Sequence, residues 1–231
     1  MHAFYIPTLL PTIKQLFLSE EESKHACRVM RLTIGDLIEL LDGKGGRYEA
    51  KIISDHPKKC EVEVVSYTKE VEQPFDIHIA ISPTKNMDRI EWFIEKATEL
   101  GLTKISFIQT ERSERKLMKT DRIEKIAIAA MKQSHRTYLP IIEELQSFKT
   151  FMQQYPVGGI AHCEEFSSQN ISTVAIATNF PILIGPEGDF TTNEVELALK
   201  SGYRQINLGK TRLRTETAGI YAVTLLKSKF E

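Results

Sequence analysis

The chain is poor in cysteine, carries no excess of either charge and has no long apolar run, and each shortage removes a class of protein. Cys27, Cys60 and Cys163 are the only cysteines in 231 residues. They lie far apart with no Cys-x-x-Cys pair, so the usual zinc spacings are excluded and nothing suggests a disulfide framework. Reduced thiols, as in a cytoplasm, are expected. The six histidines are scattered as well, and no His-Glu-x-x-His pair occurs, so no structural metal is expected. Thirty Lys and Arg against 31 Asp and Glu leave a formal charge of −1, so any nucleic-acid surface must be a local basic patch. No apolar run reaches the ~18 residues of a membrane-spanning helix, and Met-His-Ala-Phe-Tyr-Ile-Pro7 lacks a basic region followed by an apolar one. A soluble cytoplasmic protein is the expectation. Also missing are a Gly-Lys-Ser/Thr phosphate loop, a Gly-x-Gly-x-x-Gly after the first α/β strand and a Gly-x-Ser-x-Gly elbow, which argues against nucleoside triphosphatases, Rossmann dinucleotide sites and serine hydrolases.

What is there, 42% apolar and 26% charged residues, suits a globular chain with a sizeable core. Residues 1–70 read as short strands at Ala3–Ile6, Gln15–Leu18, Leu37–Leu41, Arg47–Ser54 and Cys60–Tyr67, with a turn at Asp42–Gly46. This is the pattern of a small β-barrel. One helix interrupts it, from a capping box at Ser19 and Glu22 to about Met30. The charged stretch Lys69–Pro74 reads as a linker. From 74 to 231 strands and helices alternate: Ile77–Ser82, Asp88–Leu100, Lys104–Gln109, Asp121–Tyr138, Gly159–His162, Ile182–Ile184, Thr192–Ser201, Gln205–Leu208 and Glu216–Phe230. Alternation of that kind predicts an α/β domain on a mainly parallel sheet. Ile90, Phe93, Ile94, Ala97 and Leu100 form one apolar helical stripe, closed by Gly101. Asp121 and Ser147 are further N-cap candidates.

Two glycine-bearing segments carry the functional signal, Ile184-Gly-Pro-Glu-Gly-Asp-Phe190 and Leu208-Gly-Lys-Thr-Arg-Leu-Arg-Thr-Glu-Thr-Ala218. Each follows a strand and leads into a helix, the first through the capping box Thr191–Glu194. Their glycines let main-chain groups approach a ligand closely, while Pro186 stiffens the turn, so recognition by backbone of a nucleoside-like ligand is one reading. A tight turn alone is the other. Arg212, Arg214 and Glu216, set between an apolar strand and an apolar helix, favour the first, since such charges are seldom placed there for packing.

These two segments, in this order and spacing, resemble the signature loops of the RsmE-type 16S rRNA uridine N3-methyltransferases of the SPOUT superfamily. The resemblance runs the length of the chain. His25-Ala-Cys-Arg-Val-Met-Arg31 through Asp36 is similar to the family's PUA-like domain; Lys96–Gly101, Glu111-Arg-Ser113 and Gln133–Pro140 are similar to its methyltransferase domain. It implies a parallel sheet with a C-terminal trefoil knot, a homodimer packed through knot helices, and S-adenosylmethionine bound in the knot. The cofactor residues it implies are His162, Cys163 and Glu164, then Ile184, Gly185, Pro186, Glu187 and Gly188, then Leu208, Gly209, Arg212, Leu213, Thr217 and Ala218. Two departures stand out: Asp189 where the family usually has Gly, and Lys210-Thr211-Arg212 where it often has Pro-Arg-Ile. Asp tolerates the left-handed conformation better than most residues. Independently, the last helix is apolar on nearly all sides, which suits burial against both a sheet and a partner, or a purely intramolecular core.

Methylating uridine N3 requires loss of a weakly acidic proton, so a site needs a group to stabilise negative charge on uracil and a group to accept the proton. Arg214 is the candidate for the first, because a guanidinium stays cationic and offers a planar donor fork. Glu216 is the candidate base, or else pairs with Arg214 or Arg212, or caps the final helix. N3 lies on the Watson–Crick edge, so the target must be unpaired or turned out of its stack. Lys24, His25, Arg28 and Arg31, and the later run Arg112, Arg115, Lys116, Lys119 and Arg122 with Arg136, are candidates to hold the flanking 16S rRNA of the small subunit, or are solvated faces. Competing functions are a SPOUT enzyme acting on another RNA position and a non-catalytic RNA-binding or ribosome-assembly protein.

Overall fold

A computed structural model of the chain describes residues 1–162, 169–170 and 179–230. They form two compact units, Met1–Glu72 with Met131–Leu139, and Gln73–Ala130 with Pro140–Glu231. In the first, β1 (His2–Tyr5), β2 (Gln15–Phe17), β3 (Leu37–Leu41), β4 (Gly46–Ser54) and β5 (Glu61–Lys69) make a sheet of order β1-β3-β4-β5-β2. β1 runs parallel to β3 and the other pairs are antiparallel. Alternate residues point to one core, so Ile38, Leu40, Tyr48, Ala50, Ile52 and Val62 pack with Phe4, Leu18 and Ala26. The Asp42–Gly46 turn is held by Asp42, whose Oδ1 accepts from the Lys44 and Gly46 N–H groups at 2.7 and 2.8 Å.

The helix expected from Ser19 to Met30 changes winding part-way. Helix α1 (Glu20–Lys24) is α-helical and His25–Val29 is a π-turn, after which Arg31 turns left-handed at φ 56°. Ser19 Oγ accepts from the Glu22 N–H at 3.1 Å, as a cap should. The Glu22 carboxylate is turned instead toward Lys132 at 2.9 Å. Strand β5 runs on through Lys69, into the stretch read as a linker, and Glu70 accepts from Thr137 Oγ1 at 2.6 Å.

In the second unit seven strands, β6 (His78–Ile81), β7 (Lys104–Gln109), β8 (Ile141–Ser147), β9 (Gly159–Ala161), β10 (Gln169–Asn170), β11 (Ile182–Ile184) and β12 (Arg204–Asn207), all pair parallel in the order β10-β12-β9-β11-β6-β7-β8. The parallel α/β expectation is met, with β8 an addition to it. Helix α2 (Met87–Leu100) starts at Asn86, whose Oδ1 accepts from the Asp88 N–H, and stops at Gly101 with φ 110°. Helix α3 is Thr120–Gln133, so Asp121 sits inside its first turn instead of capping it. It ends five residues before the expected Tyr138. His135 takes φ 54°, and the following residues, part of the first unit, hydrogen-bond to the Asp42–Gly46 turn within it, Gly45 N–H to Thr137 O at 2.9 Å and Leu139 N–H to Gly43 O at 3.0 Å. Helices α4 (Phe148–Gln154), α5 (Thr192–Lys200) and α6 (Thr215–Phe230) follow, with Ser147 capping α4 and the full Thr191–Glu194 capping box opening α5.

Helices cover both faces of this sheet, which is why β6 is buried at every residue. On one face Ala80, Ile108, Ile160 and Leu183 pack with Phe151, Met152, Val195 and Ala198. On the other α6 lies on α2 so closely that a Cβ on Gly219 would stand 2.6 Å from the Phe93 ring. Toward the amino ends of β6, β7 and β8 lies a polar network in which His78 and Ser106 are buried and Glu143 and Tyr155 half-buried. His78 Nε2 is 2.7 Å from Ser106 Oγ; Ser106 donates to Glu143 Oε2 and Tyr155 to Glu143 Oε1, each at 2.5 Å. Because the Ser106 proton goes to the carboxylate, His78 must donate from Nε2, which assigns the neutral Nε2–H tautomer. Burial, with a smaller contribution from Lys104, holds the His78 imidazole down to about 3.

Candidate active site

The carboxyl ends of parallel strands are where α/β sheets bind ligands, since loops and helix N-termini converge there. Here they enclose a cleft of about 260 Å³ lined by Ala161, at the end of β9, by Ile184–Glu187 and Asp189, after β11, by Arg212–Thr215 and Ala218 at the start of α6, and by Arg89 from the first turn of α2. Both glycine segments therefore meet at one site.

The first segment is held on every side. Asp189 N–H bonds to Pro186 O at 3.0 Å, closing a turn, and Asp189 adopts φ 62° with its Oδ1 accepting from the Phe190 N–H at 2.8 Å. Phe190 packs over Gly185, where a Cβ would lie 3.2 Å from the ring. Lys85 N–H donates to Glu187 Oε1 at 3.1 Å, and Arg112 Nη1 to Gly188 O at 2.7 Å. The second segment is looser. Gly209 takes φ 115° with nothing among the described residues within 4 Å of a would-be Cβ, its N–H donating to Asn207 Oδ1 at 2.6 Å, and Lys210, Thr211 and Arg212 are exposed. It is joined to the first through Arg212 Nη2 to Glu187 O at 3.4 Å and through Thr215 Oγ1 to Gly185 O at 3.1 Å.

Of the residues expected to meet the cofactor, Ile184, Gly185, Pro186, Glu187, Arg212, Leu213 and Ala218 line the cleft, as does Arg214. Gly188, Leu208 and Gly209 belong to the same loops and Thr217 to the first turn of α6, but they do not line it. His162 follows β9 directly and is part-buried; Cys163 and Glu164 lie outside the described residues. Glu216 is 8% exposed, and its Oε2 is buried with no hydrogen-bond partner. Among the described residues no ion pair joins it to Arg212 or Arg214, so the pairing open to it on the sequence does not form. Arg89 was not foreseen. Its one signal is position, in the first helical turn after a strand end and off the apolar stripe of α2.

Residues 71–227 match the family described as an RNA methyltransferase domain, and residues 18–65 an RNA methyltransferase PUA domain. The ribosomal RNA small subunit methyltransferase E of Bacillus subtilis (strain 168) is 32% identical over 231 residues, spanning 93% of this chain and 90% of that protein. The chain belongs to the ribosomal RNA small subunit methyltransferase E family. A probable rRNA-methyltransferase from Porphyromonas gingivalis shares the structure with a TM-score of 0.89 at 36% identity, covering 100% of this chain and 98% of that one. The small subunit methyltransferase E of Neisseria gonorrhoeae, solved bound to S-adenosyl methionine, gives a TM-score of 0.90 at 25% identity, covering 99% of this chain and 97% of that one.

In this methyltransferase the basic residues singled out for RNA fall on both units. Lys24, Arg28 and Arg31 are exposed on the first, and His25 is half-buried, 3.6 Å from Glu22. Arg136 is half-buried in the same unit, where burial lowers its pKa against the opposing pull of Glu70. On the second unit Arg115 and Lys116 line a more open cleft of about 470 Å³ with Lys85, Glu114 and Leu117, and Arg115 Nη2 donates to Lys85 O at 2.9 Å. Arg112 turns toward the glycine loop. Arg122 pairs with Glu91, and Lys119 lies just ahead of α3.

Proposed function

We propose that this chain transfers the methyl group of S-adenosylmethionine to N3 of a uridine in the 16S rRNA of the small ribosomal subunit. The observation that carries the reading is the gathering of Arg89, Arg212 and Arg214 around a cleft walled by two glycine loops, with the buried carboxylate of Glu216 at the second residue of the helix that follows the second loop. The residues present fit the cofactor. Ala161, Ile184, Pro186, Leu213 and Ala218 offer apolar walls to a purine, and the cleft is near the lower end of the ~300–1,000 Å³ usual for small-molecule sites. Once bound, the cofactor supplies an electrophilic methyl on a sulfonium. Everything else falls to the chain.

Arg214, exposed at the lip, presents its guanidinium to uracil oxygens as negative charge grows on the ring, where a fixed cation in a partly dry site acts most strongly. Glu216 is the candidate proton acceptor. Its buried Oε2 has an acceptor position open in the first turn of α6. Arg115 and Lys116 on the open cleft, and Lys24, Arg28 and Arg31 on the PUA-type unit, are proposed to hold the RNA backbone while the target base turns out.

Two architectural readings belong with this proposal. The five-stranded sheet closes as a PUA-like barrel, and the β9–α6 region threads as a trefoil knot; the strand order supports the latter, since β11 enters between β9 and β6 while β12 lies beyond β9. A homodimer through α6 is supported by Tyr221, 42% exposed on a helix whose other face is buried. The deciding experiment is methyl transfer from labelled S-adenosylmethionine to small subunits lacking the modification, followed by mass spectrometry of the released nucleosides. N3-methyluridine is expected. A methyl group at another position would place the chain among enzymes of another specificity, and no binding of cofactor would leave an RNA-binding protein.

A further inference from the structure

Arg112 was grouped with the RNA-binding residues because it stands in a basic run, yet its guanidinium is directed into its own domain. Nη1 donates to Gly188 O at 2.7 Å and reaches Phe190 O at 3.4 Å. Its aliphatic stem lies against Gly188, where a Cβ would stand 3.3 Å from Cδ and 3.4 Å from Cβ of the arginine. The arm that carries it is itself fixed. Ser113 Oγ is 2.6 Å from Ser82 Oγ and accepts from the Thr110 N–H at 2.8 Å; Glu111 N–H donates to Glu194 Oε1 at 2.8 Å. Glu194 is the same residue that closes the capping box after the loop. A rigid arm thus holds a charged donor on the carbonyls of a loop whose neighbours, Pro186, Glu187 and Asp189, line the cleft.

We propose that Arg112 is a positioning residue for the cofactor cleft. It acts by fixing the Glu187–Phe190 main chain and does not contact RNA phosphate. Three features support it. A charged donor on a carbonyl is stronger than a neutral one, the guanidinium can serve two acceptors while the stem packs, and Gly188 is needed for that close approach. The inference rests on the cofactor reading above for its functional consequence, and on geometry alone for the clamp.

The test uses the full-length protein with Arg112→Ala, Arg112→Lys, Gly188→Ala and the Arg112→Ala/Gly188→Ala pair. Cofactor affinity is measured by calorimetry with S-adenosylmethionine, RNA affinity by filter binding to small-subunit RNA, and loop order by amide exchange at Asp189 and Phe190 without ligand. Arg112→Ala should weaken cofactor binding about tenfold, as loss of one charge-assisted bond predicts, with RNA binding within about twofold of the parent. Exchange at Asp189 and Phe190 should rise. Gly188→Ala should reproduce both effects by pushing the stem away, and the double variant should cost less than the sum of the two, because both remove one contact. Arg112→Lys should recover part of the affinity through a single point charge. Unchanged cofactor affinity and unchanged exchange with weakened RNA binding would overturn the proposal and return Arg112 to the RNA surface. Should Arg112→Ala fail to fold, the Lys and Gly188 variants decide by the same readouts. If the parent binds no cofactor, the proposed function fails, while exchange in the unliganded protein still tells whether the clamp exists.

Discussion

At the amino ends of the parallel strands buried His78 and Ser106 and half-buried Glu143 and Tyr155 satisfy one another at 2.5–2.7 Å, with the tautomer of the histidine set by its neighbours. At the carboxyl ends Arg89, Arg212 and Arg214 line one cleft with no ion pair among the described residues, and nearby in the first turn of α6 one carboxylate oxygen of Glu216 stays buried with no hydrogen-bond partner. Both groups hold the residue types used in catalysis. What separates them is satisfaction: a buried polar set whose bonds are all made specifies the fold, whereas one with bonds still to make is poised for a ligand. The His78 set, which on composition alone resembles a Ser-His-acid arrangement, has the carboxylate on the serine and not on the imidazole, so nothing there orients a base toward a nucleophile.

The largest expected effect lies at the unsatisfied end. Arg214→Ala should lower the rate of methyl transfer by about 10² to 10³, the usual loss when one preorganised charge stabiliser is removed, while cofactor affinity and melting temperature change little. Single-turnover kinetics on small subunits with saturating cofactor would measure it. A fall in cofactor affinity with an unchanged rate would move Arg214 from charge stabilisation to cofactor binding.

At the satisfied end the change should appear in stability and not in rate. Glu143→Gln replaces one acceptor oxygen by an N–H₂ group facing a hydroxyl donor, which should cost about 2–3 kcal/mol. For a chain of this size that is roughly 4–12 °C in melting temperature. Methyl transfer by the protein still folded at 25 °C should stay within twofold. A slower reaction without loss of stability would erase the distinction drawn between the two ends.

The same network gives a pH dependence of known sign. His78 is buried neutral with its pKa held near 3, below the 6.5 of an unfolded chain, so the unfolded state binds more protons between those values. Stability from this group is complete above about pH 6.5 and falls as the pH drops toward 3, by at most about 1.4 kcal/mol per unit. Urea unfolding followed from pH 7.5 to pH 5 should show a decline that His78→Gln makes shallower. An unchanged slope in the variant would assign the decline to carboxylates elsewhere.

The sheet's local punctuation could be read in advance, and its long-range polar pairings could not. Ser19, Ser147, Gly101 and the Thr191–Glu194 box act as caps and stops because each works through bonds within four residues of itself. The end of α3 was missed since His135 enters a left-handed conformation to let the following residues reach strand β4's turn, a tertiary demand with no local marker. Strand β8 escaped because Ile141–Ser147 is an edge strand with Ile141 and Glu144 exposed, so its alternation is weak. At the site, both glycine loops stood out through composition. Arg89 did not, since only folding brings the start of α2 beside α6.

The smallest effect is the one that most sharpens the account of the first glycine loop. Asp189 stands at φ 62°, where glycine would avoid roughly 1–2 kcal/mol of steric cost, but it returns part of that by accepting from the Phe190 N–H at 2.8 Å. Asp189→Gly removes the strain and the bond together and adds about 0.4–1 kcal/mol of unfolded-chain entropy, so the terms nearly cancel and stability should move by less than about 1 kcal/mol. If the cleft recognises its ligand through main chain held by Arg112, Lys85 and Arg212, cofactor affinity should shift by no more than about threefold, because the three clamps survive the substitution. Calorimetric titration beside chemical denaturation would settle it. A loss beyond tenfold with unchanged stability would mean that the Asp189 carboxylate, which lines the cleft, contacts the ligand itself, and that recognition in this chain depends on a charge as well as on backbone.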